Sequence, residues 1–112
     1  MVVLISDEKI YIANAGDSSA WLYTKDGLAK PLTKEHKPDD ELEKKRILNA
    51  GGWVSEGRVN DNLNLSRAIG DLEYKKNSSL SPSEQIITAL PDIKVVNRNN
   101  QQNFLLMGCD GI

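Results

Sequence analysis

One cysteine, one histidine, one phenylalanine and four prolines stand among 112 residues. The lone Cys109 rules out an internal disulfide, so no disulfide-stapled scaffold can form. This fits a reducing intracellular compartment, cytoplasmic or nuclear. Within an apolar run, Cys109 reads as a buried packing thiol. No apolar stretch is long enough to span a bilayer. The run from Val2 to Ile5 is too short for a signal-peptide core and has no basic leader. One-sided charge is also missing: 14 Lys and Arg oppose 16 Asp and Glu, for a net charge of −2. Without a basic stripe or a basic amphipathic helix, neither nucleic acid nor a membrane surface is an expected partner. A hydrophobic fraction of 39% supports a modest core in one domain and argues against wholesale disorder.

What is present is a series of short apolar runs between turns. Val2 to Ile5, Ile10 to Ala15 and Ala20 to Thr24 read as strands, and Lys25-Asp26-Gly27 turns the last one back. Links this short cannot make a parallel crossover, so these neighbours are expected to pair antiparallel as a meander. Asp40 reads as the N-cap of the one good helix, with Glu43 completing a capping box. Leu42, Ile47 and Leu48 give it an apolar face, and Gly51-Gly52 stops it. A helix of about ten residues is marginal alone and is expected to lean on the sheet. Trp53 to Ser55 and Arg58-Val59 read as short strands. Lys75 to Glu84, with four serines, reads as a mobile surface loop. Ile86 to Leu90 and Ile93 to Val96 read as strands. Phe104 to Cys109 reads as a strand buried on both faces.

Three aspartates sit beside glycines at element ends: Gly16-Asp17, Gly70-Asp71 and Asp110-Gly111. Hard divalent cations take carboxylate oxygens, and a pair of such ions can activate a water for attack on a phosphoryl group. On spacing alone, turn chemistry explains an Asp beside Gly at least as well.

The motifs resemble an ordered set. Asn14-Ala15-Gly16-Asp17-Ser18, Glu35-His36-Lys37-Pro38 with Glu43, Arg46-Ile47 and Ala50-Gly51-Gly52, then Arg58-Val59-Asn60, Leu65 to Asp71, Tyr74-Lys75, Glu84-Gln85, Pro91-Asp92 and Cys109-Asp110-Gly111-Ile112 come in the order of the type 2C metal-dependent serine/threonine protein phosphatases. The resemblance covers nearly the whole chain. It implies an α+β fold, a portion of an α-β-β-α sandwich with mostly antiparallel sheets, in which residues 1–112 form part of a catalytic domain and residues 36–74 its helix and flap-like region. It implies two ions, Mg²⁺ or Mn²⁺, and water as the nucleophile on phosphoserine or phosphothreonine of phosphoprotein substrates.

Carried over by position, Asp110 matches a direct metal ligand, and Asp17 matches an aspartate serving a further, weaker site or its waters. Asp71, Ser66 and Arg67 match a block read as scaffold, and His36 as ordering the loop before the helix. Arg58 suits phosphate geometry, with a solvated or structural role as the competing reading. The family's early Asp-Gly-His-Gly-Gly run, its Glu-Asp pair, its phosphate-gripping Arg and its late Asp-Asn pair have no counterpart among these residues. The 112 residues alone are therefore expected to lack appreciable activity and to self-associate. The alternative is a catalytically silent binding module on the same fold.

Overall fold

A computed structural model of the chain describes residues 1–111. In chain order the elements are β1 (Val2–Ile5), β2 (Lys9–Asn14), β3 (Ser19–Thr24), β4 (Ala29–Pro31), α1 (Glu41–Asn49), β5 (Val54–Ser55), β6 (Arg58–Val59), two single 3₁₀ turns (Leu72–Tyr74 and Pro82–Glu84), β7 (Asp92–Asn97) and β8 (Gln102–Gly108). They form two compact units. One joins Met1–Glu35 to the segment from Pro91 onward, and the other is His36–Leu90, inserted between β4 and β7. The helix-bearing unit thus runs beyond residue 74, taking in the Ser-rich segment.

The first unit is a sandwich of two three-stranded antiparallel sheets, ordered β1-β2-β7 and β4-β3-β8. This corrects the meander. β1–β2 and β3–β4 are hairpins, but β2 and β3 do not pair with each other. β2 pairs with β7 and β3 with β8. The physical reason is burial. Ile10 and Ile12 of β2 face Ala20 and Leu22 of β3 across the sandwich, and with Leu32 they form its core. Two strands whose inner residues bury each other lie in opposite layers.

Only the inner faces are covered in this way. Phe104 is 52% and Leu106 46% exposed, so β8 is not buried on both faces. Tyr23 stacks on Phe104 with ring centroids 4.5 Å apart. Val2, Leu4, Ile93 and Val95 are exposed in the other sheet. Cys109, beyond the end of β8, is exposed rather than a packing thiol.

The second unit has its own core of Ile47, Val59, Tyr74 and Ile87. α1 therefore leans on the β5–β6 hairpin and the segments after it, through Ile47, while Leu42 and Leu48 are exposed. The capping box is also corrected. Asp40 precedes the helix without a side-chain cap bond, and Glu43 is buried instead of reaching back to it. Gly51, at φ +89°, ends the helix as anticipated, since that backbone conformation suits glycine.

Nor is Lys75 to Glu84 an unstructured loop. Ser81 and Glu84 form a capping box around the 3₁₀ turn, and buried Gln85 bonds to Asn77 and Leu80. Ile86 to Leu90 is not a strand. A single bridge joins Thr88 to Arg67, while Ile87 enters the core. Among the described residues, no helix is long and apolar enough to cross a membrane.

Candidate metal centre

Asn14 ends β2 and is 2% exposed. Its Nδ2 donates to the carbonyl of Gly16 at 3.2 Å and of Lys34 at 3.0 Å, which pins the turn that follows. Its Oδ1 is buried with no hydrogen-bond partner among the described residues. Gly16 is buried at φ +127°, a conformation open to glycine, and it lets the chain pass from one sheet to the other. At the start of β3, the Ala20 N–H donates to Thr33 Oγ1 at 2.9 Å, and the Leu32 N–H donates to the Ala20 carbonyl at 2.8 Å. The loop carrying Asp17 is thus bonded on both flanks, and Asp17 is half-buried.

The register of β3 against β8 locates the second carboxylate. Ser19 pairs with Gly108 at the last rung. Asp17 lies two residues before Ser19, and Asp110 two residues after Gly108. Both aspartates therefore emerge from neighbouring strands at the same end of one sheet. Asp92 pairs with Asn14 at the matching end of the other sheet, joined to the first by the Gly16–Ser18 turn.

Two carboxylates on a fixed turn and a strand end suit a hard cation, which takes oxygen ligands. Among the described residues, no group of three or more His, Cys, Asp or Glu side chains is placed to hold a metal. Asp17 and Asp110 bring oxygen donors of the type a divalent ion takes.

The remaining candidates belong to the second unit. Arg58 is exposed on β6, and its Nη1 donates to the Asn62 carbonyl at 2.7 Å. Asp71 is exposed at φ +47°, and its carbonyl accepts the Tyr74 N–H at 3.0 Å. Ser66 is fully buried, with Oγ 2.8 Å from both the His36 carbonyl oxygen and Glu43 Oε2. Arg67 grips the Glu43 carboxylate through Nη2 at 2.5 Å and Nε at 3.1 Å, and its Nη1 reaches the Leu90 carbonyl at 3.1 Å.

Arg46 completes this cluster. Its Nη1 lies 2.6 Å from Glu43 Oε2, its Nη2 donates to the Ser66 carbonyl at 2.5 Å and its Nε to the Gln85 carbonyl at 3.2 Å. Burial would raise the Glu43 pKa, but the hydrogen bonds from Arg67, Arg46 and Ser66 outweigh it and hold the carboxyl at about 2. Sequence reasoning placed Glu43 in a capping box and both Glu43 and Arg46 in the motif set, without pairing them in a buried cluster. The one available signal was their i,i+3 spacing, which serves a capping pattern and an ion pair alike.

The sequence profile of the family described as Protein phosphatase 2C matches residues 1–112. The "Probable protein phosphatase 2C 6" of Paramecium tetraurelia is 60% identical over 111 residues, covering 99% of this chain and 37% of that protein. The "Protein phosphatase 2C homolog 2" of Hypocrea jecorina is 56% identical over 99% of this chain and 25% of its own length. Among solved structures, a phosphatase from Toxoplasma gondii superposes with a TM-score of 0.88 at 40% identity, covering 92% of this chain and 32% of that one. The chain thus spans between a quarter and little more than a third of the length of these relatives.

Proposed function

The chain belongs to the protein phosphatase 2C family, and we propose that it is part of a catalytic domain that hydrolyses phosphoserine and phosphothreonine in proteins. The family is metal-dependent. What carries the reading is the arrival of Asp17 and Asp110 at one end of the β3–β8 pair. Two divalent ions, Mg²⁺ or Mn²⁺, are the cofactors proposed, with Asp110 as a direct ligand and Asp17 as ligand to a further ion or its waters. When bound, such ions supply a water of lowered pKa as nucleophile and offset charge on the phosphoryl oxygens.

This chain's own contribution is positional. The Asn14 amide holds the Gly16 and Lys34 carbonyls, so the turn that presents Asp17 is fixed by its own hydrogen bonds. Arg58 is proposed to meet the substrate phosphate. The single cysteine supports an intracellular setting, cytoplasmic or nuclear. The named relatives do not favour a silent binding module.

The test uses the whole parent protein with Mn²⁺ and a phosphothreonine peptide. Asp110→Ala is expected to lower kcat/KM by more than about a hundredfold, beyond what loss of an outer-shell partner causes. Asp17→Ala is expected to cost less. Full activity in Asp110→Ala overturns the assignment. Turnover by the 112 residues alone, if it survives repurification and disappears in Asp110→Ala, overturns the expectation that they are inactive by themselves.

A further inference from the structure

A groove of about 670 Å³ in the second unit is built entirely from residues 75–90, and the proposed catalysis makes no use of it. Its size falls within the roughly 300–1,000 Å³ of ligand pockets. Leu80, Pro82, Ala89 and Leu90 give it apolar walls.

Two polar side chains of those walls, Gln85 and Thr88, are engaged with the groove's own backbone. Gln85 Nε2 donates to the Asn77 and Leu80 carbonyls at 2.8 and 3.0 Å, and Oε1 accepts the Asn77 N–H at 3.1 Å. Thr88 Oγ1 donates to the Pro82 carbonyl at 3.1 Å and accepts the Leu90 N–H at 3.2 Å. These bonds fix the walls in advance, so an occupant meets a preformed site, and apolar burial is what it gains.

Charge is one-sided. Lys75 and Lys76 line the groove, and among the described residues no carboxylate does. Lys75 Nζ uses one of its three donors on the Ala68 carbonyl at 2.7 Å, and Lys76 is exposed. Preformed apolar walls under a cationic rim complement a chain in which leucine or phenylalanine neighbours aspartate or glutamate.

We propose that this groove docks an acidic, apolar peptide segment of the protein substrate, apart from its phosphorylated residue. The word substrate rests on the phosphatase reading; the binding itself is measured without turnover. The full chain is titrated against a panel of short fluorescein-labelled peptides alternating Leu or Phe with Asp or Glu. A matched panel carries Lys in place of every acid, and anisotropy is read.

Acidic members are expected to bind with Kd of about 100 µM or tighter, weakening by about tenfold in Lys76→Glu and in Leu90→Ser with unchanged unfolding midpoints. Both side chains are exposed, so neither change disturbs the core. No binding by the acidic panel, equal binding of the two panels, or indifference to both substitutions overturns the proposal. So does sedimentation in which Leu90→Ser converts an associating chain to a monomer, since the groove would then serve a second copy. In the parent protein the two readings fail separately. Docking without turnover sinks the catalytic reading, and turnover without docking sinks this one.

Discussion

Replacing Glu43 by Gln removes the negative charge on which two guanidinium groups converge. The Glu43 side chain is 3% exposed, with Arg46 at 13% and Arg67 at 11%, so water does little to screen the loss. The difference between the ordinary carboxyl value of 4.5 and about 2, at about 1.4 kcal/mol per pKa unit, is about 3 kcal/mol. Removing one partner of a buried pair costs about 3–5 kcal/mol by a separate line of reasoning, so the two magnitudes agree.

The assay is urea unfolding of the full chain in a Trp21→Phe background, where Trp53 fluorescence reports the second unit. Glu43→Gln is expected to lower stability by about 3 kcal/mol. Glu41→Gln, exposed in the first helical turn, is expected to cost less than about 1 kcal/mol. The pH dependence has a definite sign. A depressed carboxyl pKa stabilises fully above 4.5, and that contribution is lost as pH falls from there towards about 2. The parent chain should therefore lose stability over that window, and Glu43→Gln should lack this part of the acid limb. A cost below about 1 kcal/mol, or an unaltered acid limb, refutes the stabilisation assigned to this cluster.

Two further outcomes follow from packing. A Cβ added at Gly52 would lie 3.0 Å from Ile47 Cγ2, 3.1 Å from Asn60 Oδ1 and 3.2 Å from Ile86 Cγ2. Gly52→Ala is therefore expected to destabilise by about 1–3 kcal/mol in thermal or urea unfolding, and an unchanged midpoint would show that the neighbours yield freely. The exposed outer faces, with Val2 at 67%, Leu4 at 63%, Ile93 at 64% and Phe104 at 52%, should make the isolated chain associate. Sedimentation equilibrium checks this through a mass that rises with concentration, and a clean monomer at high concentration counts against it.

Much of the local structure was legible in the residues themselves. Gly51-Gly52 marked the end of α1, and the short runs at Trp53 to Ser55 and Arg58-Val59 anticipated β5 and β6, because each imposes a demand on its own few residues. The turn at Asn14 to Ser18 and the late Cys109-Asp110-Gly111 could be paired as candidate ligand carriers from motif order alone. Sheet membership could not be read in this way. Alternation in β2 and β3 tells which side chains turn inward, not which strand lies alongside, and both hairpin and crossing between layers satisfy it.

The role of Glu43 was hidden for a similar reason, since its partners Ser66 and Arg67 are far along the chain and only folding brings them within bonding distance. The apolar run at Phe104 suggested two-sided burial, because hydrophobicity records a demand for cover without saying what supplies it. Sequence by itself determined most of the strands, the helix with its glycine stop, and the family the chain belongs to. Tertiary structure decided which strands share a layer, where the buried charge finds its partners, and that Asp17 and Asp110 leave the same end of one sheet, since each depends on contacts between residues remote in the chain.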